Sequence, residues 1–117
     1  MADVPYADWF AYALRFFPKG KDYRIAELCS GPGRMAGLAR AAGFYTVCLD
    51  FSLATLSAAE GERVCGDVRR LPFTDGAFDA VVLRMALSQM PQPLMALGEA
   101  MRVLKKGGFI SLIDHAA

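Results

Sequence analysis

The chain is poor in every residue class that would announce a metal centre, a disulfide scaffold or a membrane anchor. It has one histidine, His115, and three cysteines among 117 residues. Cys29, Cys48 and Cys65 are odd in number and fit no metal-ligand spacing, so free thiols in apolar surroundings and a reducing compartment are expected. Neither sign of charge is in excess: 13 basic and 12 acidic side chains leave a net +1. The close basic pairs, Lys19-Gly20-Lys21, Arg69-Arg70 and Lys105-Lys106, are scattered along the chain, which gives no ground for nucleic acid or an anionic membrane as a partner. No apolar run reaches the roughly 20 residues of a bilayer-spanning helix. Met1-Ala2-Asp3-Val4-Pro5 lacks the basic and apolar regions of a secretion signal, so a cytoplasmic protein is expected.

What the chain does have is apolar residues, 55% of the total, enough for a packed globule and too many for a disordered segment. We expect a single domain over 1–117, with an N-terminal helix in 1–20 and a core in 24–114. Its organising stretch is Arg24-Ile25-Ala26-Glu27-Leu28-Cys29-Ser30-Gly31-Pro32-Gly33-Arg34. A short apolar strand breaks at Gly-Pro-Gly and leads straight into an Ala- and Leu-rich segment. Gly31 and Gly33 carry no Cβ, so the turn can take unusual dihedrals and a ligand can lie against backbone.

The rest of the chain alternates in the same way. Tyr6, Trp9, Phe10, Ala13, Leu14 and Phe17 recur at helical spacing, and Pro18 to Gly20 ends that helix. Gly33 to Ala42 is a helix closed by Gly43. Phe44 to Leu49 is a second strand ending at Asp50, and Ser52 caps a helix over Leu53 to Ala59. Arg63 to Asp67 is a third strand, and Leu71 to Gly76 a turn-rich loop. Phe78 to Leu83 is a strand apolar enough to be covered on both faces. Pro91 and Pro93 open a helix over Leu94 to Leu104, which Gly107-Gly108 terminate, and Phe109 to Ile113 is a fifth strand.

Strands alternating with helices predict an α/β fold, a doubly wound parallel sheet with helices on both faces. Ligands of such sheets bind at the carboxyl ends of the strands. Glu27, Cys29, Asp50, Asp67, Arg84 and Asp114 all lie at or just past a strand end and should converge there. An unpaired carboxylate is costly inside a core, so Glu27, Asp50 and Asp67 are expected at a polar rim. Three acids beside a glycine turn suit a ligand with hydroxyls, amines and positive charge better than a pyrophosphate.

At these residues the sequence resembles the class I S-adenosylmethionine-dependent methyltransferases. The first motif of that family, acid-x-Gly-x-Gly-x-Gly, stands here as Glu27-Leu28-Cys29-Ser30-Gly31-Pro32-Gly33, with Cys29 in place of its first glycine. The likeness continues through Val47 to Ser52, Gly66 to Phe73, Phe78 to Val82 and Arg102 to Gly108. It implies a Rossmann-like sheet of order 3-2-1-4-5, without the family's last two strands, and S-adenosylmethionine as cofactor. By the same resemblance Gly31 and Gly33 would approach the methionine part, and Glu27 would help to hold its ammonium through the loop or a water. Asp50 would take the ribose hydroxyls and Phe51 a face of the adenine. Asp67 and the backbone of Val68 would meet the adenine edge, and Arg84 the cofactor's carboxylate. Cys29 would narrow the pocket or pack beneath it. No catalytic residue is assigned, and the methyl acceptor, a small molecule or otherwise, is unidentified.

Two other readings belong beside this one. Gly31-x-Gly33-x-x-Ala36 also fits the loose fingerprint of a nicotinamide dinucleotide oxidoreductase, with Asp50 as its ribose acid. The other alternative is a non-catalytic cofactor-binding or interaction domain, or a truncated piece of an enzyme. The fifth strand would present an apolar sheet edge, which invites a homodimer through that edge.

Overall fold

Alternate residues of the central strands are buried on opposite faces, and that decides the layering. In β1 (Arg24–Leu28), Ile25 and Glu27 face one way and Ala26 and Leu28 the other, all four at 0% exposure. Strand β4 (Phe78–Met85) repeats the pattern, with Ala80 and Val82 on the first face and Val81 and Leu83 on the second. A strand with no polar face has to be sandwiched, as parallel strands are. The computed structural model describes residues 5–19, 22–30, 33–85 and 91–114, and they form such a sandwich. Strands β1, β2 (Tyr45–Asp50), β3 (Glu62–Cys65), β4 and β5 (Leu104–Asp114) make one parallel sheet in the order β3-β2-β1-β4-β5. This is the order expected from the resemblance.

Helices α1 (Pro5–Leu14) and α2 (Arg34–Ala41) cover the first face, where Phe10, Leu14, Phe17, Met35 and Ala39 pack on Ile25, Ala80 and Val82. The short α3 (Leu53–Leu56) lies beside them, with Leu56 and Ala59 against Ala36 and Cys48. Helix α4 (Pro93–Val103) covers the second face through Ala96, Ala100 and Val103. Pro93 sits in its first turn, as a residue with no N–H to satisfy should.

Several boundaries differ from the expected ones. Helix α1 ends at Leu14, and Arg15, Phe16 and Phe17 follow in tighter i to i+3 turns that still bury Phe17. Helix α3 is four residues, its continuation to Ala59 likewise held by i to i+3 bonds. The largest difference is at Gly107-Gly108, which do not terminate α4. The helix stops at Val103, and Leu104 is already extended, at φ −86° and ψ 135°. The two glycines lie inside β5, where Phe78 pairs with Leu104 but Ala80 with Phe109, so the chain bulges opposite Asp79. Gly107 takes φ +80° there, and a Cβ on Gly108 would stand 2.7 Å from the Asp79 carbonyl. Glycine was the right signal for a break in regular backbone, but the break is a bulge.

Candidate functional site

Parallel strands bring their carboxyl ends to one edge, and the register sets which residues meet there. Leu28 is level with Leu49 and Leu83, Asp50 with Cys65, and Arg84 with Ile113. The segments at and beyond these positions carry Cys29, Asp50, Phe51, Asp67, Val68 and Arg84. The side chain of Arg84, the residue Gly31, and His115 lie outside the described atoms.

The turn after β1 is built from beneath. Ser30, fully buried, donates its N–H to the Leu49 carbonyl at 2.9 Å, and its carbonyl accepts from the Gly33 N–H at 3.1 Å. Gly33 has φ +77°, and a Cβ placed on it would stand 2.8 Å from Cys48 Sγ and 3.1 Å from Ala59 Cβ. Glycine is therefore required here by backbone and by packing under the turn, before any ligand is considered. Cys29 has φ +58°, the left-handed region in which a side chain is strained. The conformation explains why the family's motif has glycine at this place.

Glu27 does not sit at the rim. It is fully buried, and its Oε1 accepts the Ala36 N–H at 2.8 Å in the first turn of α2. The sequence argument allowed a carboxylate only where water could reach it. A helix N-terminus supplies the missing compensation, through unpaired amides and the positive end of the dipole. Gly33, at the N-cap of α2, offers no side-chain cap, so Glu27 performs that function from the neighbouring strand. Cys48 pairs in register with Glu27. Burial, and then the Glu27 carboxylate, push its thiol up to about 11, against a hydrogen bond with Ser30. Cys48 is accordingly protonated and a packing residue at neutral pH.

Asp50 and Asp67 are the acids that remain at the surface. Asp50 is half-buried, and its Oδ1 accepts the Ser52 N–H at 2.9 Å, a local turn that fixes the carboxylate. Phe51 follows it with 79% of its surface exposed, beside a thiol of Cys65 that donates to the Phe51 carbonyl at 3.4 Å. Asp67 lies two residues past β3 and is gripped by Arg69. Nη2 donates to Oδ2 at 2.8 Å, Nε to Oδ1 at 3.1 Å, and the Arg69 N–H to Oδ1 at 2.9 Å. These bonds hold the Asp67 carboxyl down at about 2. The pairing is thus complete above the ordinary 3.8 and lost only as pH falls through about 2. Sequence reasoning missed Arg69, although an arginine two residues after an acid that opens a loop is a legible signal. Val68, between them, is buried.

A cleft of about 310 Å³ opens elsewhere, lined by Gly33, Gly37, Arg40, Ala41, Ala58 and Glu60. Of the residues read as a site it contains only Gly33. Among the described residues no cluster of His, Cys, Asp or Glu could hold a metal ion, and no helix is long and apolar enough to cross a membrane.

A family model described as "Methyltransferase domain" matches residues 26–112. A demethylmenaquinone methyltransferase of Renibacterium salmoninarum is 37% identical over 98 residues, which are 80% of this chain and 41% of that protein. The chain spans about two-fifths of that relative's length. A Methanococcus maripaludis structure, provisionally described as an S-adenosyl-L-methionine-dependent methyltransferase, superposes with a TM-score of 0.75 at 25% identity, covering 92% of this chain and 55% of that one. The [4+2]-cyclase SpnF superposes with a TM-score of 0.78 at 26% identity, covering 91% and 42%.

Proposed function

Because this chain belongs to the methyltransferase-domain family, we propose that it binds S-adenosylmethionine across the carboxyl ends of β1, β2 and β3 and serves transfer of the methyl group to an acceptor. The observation that carries this is Asp50 beside Phe51. A half-buried carboxylate turned by its own Asx-type bond is an acceptor set for a pair of hydroxyls. An aromatic ring left 79% exposed next to it is a face for a planar base. The donor-seeking chemistry of this edge, two carboxylates and backbone, fits an adenosyl group.

In this reading Asp50 takes the ribose hydroxyls, Phe51 covers one adenine face, and Asp67 and the Val68 backbone meet the adenine edge. Asp67 keeps acceptor capacity beyond its bonds to Arg69, since a carboxylate offers about four lone-pair sites. Gly31 and Gly33 let the turn lie against the methionine part, Cys29 narrows that wall, and Arg84 pairs with the carboxylate. Glu27 acts through the turn, by holding the start of α2, and its carboxylate does not touch the ligand. The bound cofactor supplies an activated methyl on sulfur; the chain supplies orientation and exclusion of water. A base is needed only if the acceptor must lose a proton. By its name the Renibacterium relative acts on demethylmenaquinone, and an isoprenoid quinone is the acceptor we put first for this chain.

Titration with S-adenosylmethionine tests the reading. Saturable binding is expected, and Asp50→Ala should weaken it at least about tenfold, since each hydrogen bond to a charged group is worth roughly 1.5–3 kcal/mol. Binding of NADH without any response to S-adenosylmethionine would select the dinucleotide reading instead. A neighbour named as a cyclase shares this fold, and the second reading is a domain that binds the cofactor without methyl transfer. Release of S-adenosylhomocysteine in the presence of acceptor separates the two.

We also propose that β5 pairs antiparallel with β5 of a second copy. Among the described residues no strand lies beyond β5, Phe109 to Ile113 carry no charge, and Leu112 is 52% exposed. Antiparallel pairing would set Lys105-Lys106 of one copy towards Asp114 of the other. Sedimentation equilibrium should give a dimer; a monomer at high protein concentration overturns this.

A further inference from the structure

The segment between β3 and β4 has no ladder to satisfy its backbone, and one side chain of α4 does so instead. Arg102 gives all five of its guanidinium donors to protein acceptors. Nε donates to Glu99 Oε2 at 2.8 Å, and Nη2 to Glu99 Oε1 and the Leu71 carbonyl, each at 3.1 Å. Nη1 donates to the Phe73 carbonyl at 2.9 Å and to Asp75 Oδ1 at 2.8 Å. Glu99, one turn earlier, completes the set by accepting the Leu71 N–H at 2.7 Å. The Gly76 N–H is taken by the Arg102 carbonyl at 2.9 Å. The other end of the segment is tied to the same helix, because Arg69 holds Asp67 and gives its remaining arm, Nη1, to Gln92 Oε1 at 3.0 Å. Residues 67–76 are therefore strapped along α4 at both ends, with Val68 and Leu71 buried between the ties.

We propose that Arg102 is a positioning residue for the cofactor, fixing the segment that carries Asp67 and Val68 against α4 and so against Asp50 and Phe51. This rests on the reading of that edge as the adenosyl site. A planar fork with five donors can bind two carboxylates and two carbonyls at once; an ammonium, with three donors on one atom, cannot. Lysine at this position keeps the charge and loses the strap. If the segment then spends about a tenth of its time in the competent arrangement, apparent affinity falls about tenfold.

The test is calorimetric titration of wild type, Arg102→Lys and Glu99→Gln with S-adenosylmethionine, together with hydrogen exchange of 67–76. The expected result is a dissociation constant raised about tenfold by Arg102→Lys and about threefold by Glu99→Gln, with faster exchange in 67–76 and unchanged exchange in β1 and β2. Should Arg102→Lys fail to fold, Glu99→Gln, which keeps an acceptor for Leu71, carries the test alone. Wild-type affinity in a variant whose melting temperature alone has dropped overturns the proposal and makes Arg102 a structural residue only. Absence of binding by the wild type would overturn the adenosyl reading instead, which keeps the two failures distinct.

Discussion

Gly33→Ala should destabilise this fold by about 2–5 kcal/mol and lower its melting temperature by about 10 °C or more. Two independent terms add. The backbone holds φ +77°, which costs an L-residue roughly 1–2 kcal/mol. The new methyl would also stand 2.8 Å from Cys48 Sγ and 3.1 Å from Ala59 Cβ. Cys48 is 1% exposed on β2 and Ala59 5% exposed beyond α3, so neither neighbour is the free end of a flexible chain. Such overpacking costs typically 1–3 kcal/mol. A domain with about 5–15 kcal/mol in total is badly weakened by that sum. Urea unfolding of the two proteins measures it, and a difference below about 1 kcal/mol would show that the turn relaxes freely. Cys29→Gly is the matching control. It removes left-handed strain at φ +58° and adds glycine's backbone entropy, terms of similar size, so stability should change by less than about 1 kcal/mol.

The second large effect is at Glu27. Removing its side chain in Glu27→Ala takes away the acceptor of the Ala36 N–H, 2.8 Å away, and opens a cavity at a residue with no exposed surface. An unsatisfied buried amide costs roughly 1–3 kcal/mol, and the lost volume adds to it. Relief of the carboxylate's own desolvation works the other way, but the start of α2 repays part of that already. We expect a net loss of about 2–4 kcal/mol. Glu27→Gln keeps an acceptor oxygen and nearly the same shape, so it should lose less than half of this. On the proposed reading, in which Glu27 acts through the turn, the glutamine variant should still bind S-adenosylmethionine, weakened only a few-fold. Complete loss of binding in a folded glutamine variant would mean instead that the carboxylate touches the ligand.

Acid should reveal a different set of groups. Arg102, then burial working the other way, leaves the Glu99 carboxyl below its ordinary 4.5. The Glu99 part of the tie between α4 and the 67–76 segment is therefore complete above pH 4.5 and is lost as pH falls through the lower value the carboxyl takes in the fold, while the Arg102 bonds to the Leu71 and Phe73 carbonyls do not titrate. Asp67 stays ionised until about pH 2, so the Arg69 end of the strap holds down to that acidity.

Much of the architecture was legible because it rests on periodicity. Phe78 to Leu83 reads as a strand covered on both sides, and it is one. Glycine and proline mark where regular backbone fails, at Ser30 to Gly33, at Gly43 and before Pro93. What they do not tell is the kind of failure, as Gly107-Gly108 illustrate. Helix α4 ends four residues before them because Leu104 already pairs with Phe78, a contact between residues 26 positions apart in the chain. No local propensity carries that information.

Acids behave the same way. From sequence, Glu27, Asp50 and Asp67 form one set, since each ends a strand and each is expensive to bury. Tertiary structure divides them into three kinds. Glu27 is a buried cap for α2, Asp50 a half-buried acceptor fixed by its own turn, and Asp67 one half of an ion pair with Arg69. The sequence by itself determined the order of elements, the parallel sheet and the strand ends where a site must form, because burial of alternating side chains and the breaking of backbone by glycine and proline are local effects. That Glu27 meets a helix amide was decided only by the packing of α2 on the sheet, whereas Ser52 and Arg69, which hold Asp50 and Asp67, stand two residues away in the chain. The energy of a charge depends on what surrounds it in space, and for Glu27 those surroundings are strands and a helix that only the fold brings together.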